Sequence, residues 1–118
     1  MIYEVIFTLG HNGDEEAIYR GCRGDVLIID KLGTFYDPYF ITLERIRGEF
    51  TSDRICYLWN KMVILHELTK ENILKSIQEL HYLQFYKSWK PLTEERVIEF
   101  YYPKDDWISY YVEVDDYK

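Results

Sequence analysis

LTKENILKSIQELHYLQFYKSW, Leu68 to Trp89, carries the clearest periodicity in the chain. Thr69 is a good N-cap, because its hydroxyl can accept from a backbone N–H that the first helical turn leaves unpaired. Glu71 places negative charge at the positive end of the helix dipole and pairs with Lys75 one turn on. Ile73, Leu74, Ile77 and Leu80 recur at helical spacing, forming a stripe that a sheet can cover, while Glu71, Lys75, Gln78 and Glu79 face away. The spacing predicts one long helix over 68–89 with strands arranged around it. Past Leu80 the stripe changes character. Gln84 and Ser88 fall on the apolar side and Tyr82, Phe85, Tyr86 and Trp89 fan out over the others, so the last turns bend, fray or touch something else.

Upstream of the helix the period changes to two. Ile2 to Leu9 alternates, with Tyr3, Val5, Phe7 and Leu9 on one face and Glu4 and Thr8 on the other, which predicts a half-buried strand. Gly10, Asn12 and Gly13 break it. The acids Asp14, Glu15 and Glu16 could open a short helical turn ended by Gly21, but a solvated loop is the preferred reading. Arg23-Gly24-Asp25 spells a tripeptide known from adhesive ligands; leading straight into a strand, it reads as a turn. Val26 to Ile29, a continuous apolar run between Asp25 and Asp30, predicts a buried central strand. Lys31 to Pro38 turns the chain, and Tyr39 to Ile46 is strand-like, with Gly48 ending it or marking a bulge. Ile55 to Trp59 and Met62 to Leu65 are apolar groups in one strand or, alternatively, in a hairpin turning at Asn60 and Lys61.

Downstream, Val97 to Tyr102 and Trp107 to Val114 read as strands joined by a turn at Pro103 to Asp106, a C-terminal β-hairpin. Ile108, Tyr110, Val112 and Val114 share its inner face, and Trp107, Ser109, Tyr111 and Glu113 share the other. The expected fold is α+β: a single domain over 1–118, mostly antiparallel sheet packed against one long helix. At 118 residues, 47% of them hydrophobic, the chain suits one core and leaves no room for a second.

Charge and composition narrow the function. There are 21 acidic against 14 basic residues, a formal charge of −7, and no basic block, which disfavours direct nucleic-acid binding and suits a basic protein partner. No apolar run is long enough to cross a bilayer. Met1 leads directly into strand-like sequence, so the expected location is the cytoplasm, with the two cysteines, Cys22 and Cys56, reduced. Twelve Tyr and three Trp among 118 residues are more than one core hides, so some sit outside. Exposed Tyr and Trp are favoured at binding hot spots, and they could also mediate a homodimer.

Chemistry-bearing motifs are missing. His11, His66 and His81 lie at no recognised ligand spacing from another His, Cys or carboxylate, and no phosphate-cradling or nucleophile-elbow pattern occurs. Neither a cofactor nor a metal is expected, and no catalytic residue is assigned. What remains is an acidic, aromatic group near the C-terminus: Asp105, Asp106, Trp107, Tyr111, Glu113, Asp115, Asp116 and Tyr117. Carboxylates there can steer a basic partner while Trp and Tyr supply anchors that cost little entropy to order.

Small, acidic, cysteine-poor chains of this kind resemble the immunity proteins of bacterial polymorphic toxin systems, including those of contact-dependent growth inhibition. Ile73 to Leu83, the Trp89 region and the ending from Val112 to Tyr117 are similar to one such type, which closes on an aromatic, acidic strand; the resemblance covers roughly the last half of the chain. It implies a non-enzymatic protein that binds a cognate toxin, often a nuclease with a basic cleft, by occluding that cleft. Two alternatives stand beside it. One is a nucleic-acid mimic or regulator that occupies a nucleic-acid enzyme, whose mark would be carboxylates spaced like phosphates along one face. The other is a small enzyme using His66 and Glu67.

Overall fold

In the computed structural model, which describes residues 1–49 and 61–116, the central element is a four-stranded antiparallel sheet with a helix on each face. Its strands are β1 (Ile2–Phe7), β3 (Val26–Ile29), β4 (Phe35–Tyr36) and β7 (Ile108–Glu113), in the order β4-β3-β1-β7. A second sheet, β2-β5-β6, joins β2 (Cys22–Arg23), β5 (Tyr39–Thr42) and β6 (Met62–Leu65). Within it β5 and β6 run parallel, which the antiparallel expectation did not include. The α+β class holds, and the central position of Val26–Ile29, between β1 and β4, is as its unbroken apolar run predicts.

Thr69 caps helix α3 (Lys70–Tyr82) as expected, its hydroxyl accepting from Asn72 N at 3.1 Å. Ile73, Ile77 and Leu80 are buried against Tyr3, Val5, Phe7 and Ile28 of the sheet, so the stripe is the core face it was read to be. The single long helix is not observed. α3 stops after Tyr82, Gln84 takes a left-handed conformation (φ 56°, ψ 46°), and a separate short helix α4 (Phe85–Ser88) follows. Continuing helically would have turned Gln84 onto the apolar side. The break leaves Gln84 in solvent and sends Phe85 into the core, 5.1 Å from the Tyr36 ring and 5.6 Å from Tyr3.

Four further stretches fold differently from their local pattern; within the expected turn over 31–38, Phe35–Tyr36 forms β4 on β3. Val97 to Tyr101 is helical, in α5 (Glu94–Tyr101), so the expected C-terminal hairpin does not form and β7 pairs with β1 instead. Thr93 starts α5 by accepting from Arg96 N at 3.2 Å. Val97 and Tyr101, one turn apart, meet Ile6 and Leu27 on the sheet face opposite α3. Burial on that face decides against the β-propensity of Val-Ile-Glu-Phe-Tyr-Tyr. It also means that β1 is not half-buried, since Ile6 is as hidden as Val5. The strand from Tyr39 ends at Thr42, whose hydroxyl accepts from Arg45 N at 3.1 Å, and α2 (Leu43–Glu49) follows, with Gly48 inside it. The acids at 14–16 do open a helix, α1 (Asp14–Arg20), in place of the preferred loop. It closes on Gly21 at φ 73°, a conformation that a side chain resists. The group Ile55 to Trp59, Cys56 and the turn residue Asn60 lie outside the described residues.

Candidate functional site

Among the described residues β7 is an edge strand, bonded to β1 alone, and its two faces divide as the alternation predicts. Tyr110 and Val112 pack on the main core, and Val114, just past the strand, is buried there. Ser109, Tyr111 and Glu113 point outward and are exposed, Tyr111 to 71%. The register sets Glu4 of β1 beside Tyr111 and Ile2 beside Glu113. α5 covers this outer face only at its Ile6 and Leu27 end, which leaves Ile2 and Tyr111 bare.

The acidic residues expected to form one group are divided between the two ends of β7. Asp105 and Asp106 lie in the turn before it and Asp115 and Asp116 after it, separated by a six-residue strand about 20 Å long. Tyr111 and Ser109 lie between Glu113 and the acids of the turn before the strand. Trp107 is not a free anchor. Its indole N–H donates to Tyr101 O at 3.0 Å and its ring packs on the Ile6–Leu27–Val97 cluster, with Tyr102 edge-on at 5.5 Å. The Lys104 ammonium lies 5.1 Å from the Tyr102 ring and 5.3 Å from that of Trp107, adding a cation at this end. Tyr117 lies outside the described residues.

The far end of β7 is tied to α3 by contacts that sequence reading did not foresee. His81, buried on the helix, donates from Nε2 to the Asp116 carboxylate at 2.9 Å, and its Nδ1 faces the hydroxyl of fully buried Tyr3 at 2.9 Å. The hydrogen bond from His81 holds the Asp116 carboxyl below its ordinary value. One turn earlier, the Gln78 carboxamide accepts from Asp115 N at 2.9 Å and donates to Asp115 O at 3.0 Å. The exposed Asp116 carboxylate is thus engaged by His81, whereas the Asp115 side chain has no bonded partner among the described residues. The one clue in the sequence was His81 on the apolar side of its helix; its partners lie 78 and 35 residues away.

A second group of charged residues pairs around Asp14. Arg23 of the tripeptide turns inward, its guanidinium donating to Asp25 at 2.7 Å and Asp14 at 2.9 Å, and Lys70 reaches Asp14 at 3.0 Å. Burial pushes the Asp14 carboxyl up, but hydrogen bonds from Lys70, Arg23 and His11 outweigh it and hold the group below its ordinary value. The tripeptide is no turn, since Arg23 belongs to β2 and Gly24 and Asp25 lead straight on to β3; the network pins α1, this segment and α3 together and engages His11 as well. His66 and Glu67 are exposed on the rim of an open cleft of about 760 Å³ that Arg20 and Arg45 also line. Among the described residues no group of three His, Cys, Asp or Glu is placed to hold a metal, and no helix is long and apolar enough to cross a membrane. No family model, no curated protein and no solved structure matches this chain.

Proposed function

We propose that the protein is a non-enzymatic inhibitor of the immunity type, which neutralises a bacterial toxin by covering its basic cleft with the outer row of β7. The observation that carries this reading is the setting of Tyr111. A large amphipathic ring, 71% exposed, stands between Glu4 and Glu113, with Asp105 and Asp106 beyond one end of the strand and Asp115 beyond the other. An aromatic anchor ringed by carboxylates suits a cationic protein surface, because the charges steer the encounter and the ring supplies desolvated contact. A nuclease cleft built to hold phosphates offers such a surface, and the chain's net charge of −7 favours its approach.

The experiment is retrieval of partners from the native host with the tagged protein, then titration of what is retained at low and high salt. A basic toxin domain whose association slows with salt is the expected result. Tyr111→Ala and Glu113→Lys should each weaken binding at least tenfold, and Asp115→Lys should slow association. Unchanged affinity in all three would refute the placement. A second reading, a small enzyme working at His66, draws on the cleft that His66 shares with Arg20 and Arg45. It requires an activity that His66→Ala abolishes without unfolding the protein.

A further inference from the structure

Among the described residues β7 has one hydrogen-bonded neighbour, and its other side is a sheet edge that none of them pairs with. The ladder determines which backbone groups face that edge. Val114 N donates to Met1 O at 2.8 Å, and in an antiparallel ladder such bonded pairs alternate with pairs that exchange no bonds. Val112, Tyr110 and Ile108 therefore bond to Tyr3, Val5 and Phe7, while Ser109, Tyr111 and Glu113 turn their N–H and C=O groups outward. This outward series is closed at both ends. Trp107 N donates back to Lys104 O at 3.0 Å, and the Gln78 carboxamide brackets Asp115 as a neighbouring strand would. Between the closures lie three outward positions spanning about 14 Å at the strand rise.

Beside them runs a groove of about 490 Å³ between β7 and α3, lined by Glu71, Leu74, Lys75 and Gln78 on the helix and Tyr111, Val112 and Glu113 on the strand. Leu74 and Val112 pack against the main core and give the groove an apolar floor. We infer that an extended, basic segment of the partner protein lies in this groove and adds to β7 as a fifth strand. The inference rests on the proposed function for the partner's charge and adds the manner of its docking. Main-chain bonds to Ser109, Tyr111 and Glu113 would hold the segment. Lys or Arg at alternate positions meets Glu113 and the flanking acids, and the intervening positions set apolar side chains over Leu74. A second copy of the chain is the wrong occupant. Antiparallel self-pairing centred on Tyr111 would set Asp105 and Asp106 of one copy near Asp115 and Asp116 of the other, carboxylate against carboxylate.

The test is amide hydrogen exchange, read by NMR on the full chain with blocked six-residue peptides at millimolar concentration. One peptide alternates Lys and Val, one alternates Glu and Val, and the third is the Lys–Val sequence N-methylated at every backbone amide, which keeps the charge and removes every backbone donor. The Lys–Val peptide should slow exchange at Ser109, Tyr111 and Glu113 at least tenfold, and the other two should not. Shifts at Asp and Glu side chains without that protection would overturn strand addition while leaving an acidic docking surface in place. No response to the Lys–Val peptide overturns it too, whereas failure of the proposed function appears separately as the absence of any basic partner in the retrieval. Protection that rises with protein concentration, without peptide, assigns the edge to a second copy and overturns the inference.

Discussion

Replacing Tyr3 by Phe removes one oxygen from the middle of the core, and the structure says what that oxygen does. The Asp116 carboxylate can only accept, so His81 carries a proton on Nε2; in a neutral imidazole Nδ1 is then the acceptor, and the Tyr3 hydroxyl is its donor at 2.9 Å. Tyr3 is fully buried and His81 nearly so, so water cannot replace the lost donor. An unpartnered buried nitrogen costs about 1–3 kcal/mol, a fall in Tm of roughly 4 °C per kcal/mol for a domain of this size. Removing both partners, in Tyr3→Phe with His81→Phe, should cost less than the two single changes added together, with a coupling of about 1–2 kcal/mol. Asp116→Asn, which keeps an acceptor oxygen on an exposed side chain, should change little. Urea unfolding followed by Trp fluorescence measures each variant, with an unchanged m-value required for the comparison. A loss under about 0.5 kcal/mol for Tyr3→Phe, or strict additivity in the double variant, would refute the claim that this hydrogen bond ties β1 to α3.

Three further outcomes follow from the same geometry. Val97→Ala should destabilise by about 1–3 kcal/mol, while Ile98→Ala, on the exposed side of α5, should stay within about 0.5 kcal/mol; equal losses in urea melts would argue against α5 as the lid on Ile6 and Leu27. Arg23→Met should cost about 3–5 kcal/mol by stranding Asp25 and taking one partner from Asp14, and Arg23→Lys should recover little, since Lys lacks the fork that reaches both; full stability in the Lys variant would sink the bidentate argument. Burial raises the hydroxyl pKa of Tyr3 and pushes that of Tyr101 up to about 12. A pKa raised in the folded state gives stability that is whole below the ordinary tyrosine value and is lost as pH rises through the folded one. Stability should therefore fall above pH ~10, by up to about 1.4 kcal/mol per pH unit for each group, and a flat profile between pH ~10 and ~11.5 would contradict the burial of both rings.

The legible parts of the sequence were those whose cause is local. Thr69 sets the start of α3 through its own hydroxyl, and Ile73, Ile77 and Leu80 share a face because of helix geometry alone. The alternation in β7 separates Tyr111 and Glu113 from Val112 in the same way. Thr93-Glu94-Glu95 repeats the capping signal of α3, but the β-branched and aromatic residues after it carry the opposite preference. Their conformation depends on whether the second sheet face is covered, which Ile6 and Leu27 decide from far along the chain. The candidate site divides along the same line. Its residue types, acids and tyrosine around 105–117, were apparent from the sequence. That Trp107 is pinned to Tyr101, that Asp116 is held by His81, and that β7 lies beside β1 at the end of the sheet order are matters of tertiary structure, because each depends on a contact or a strand order that no local pattern encodes.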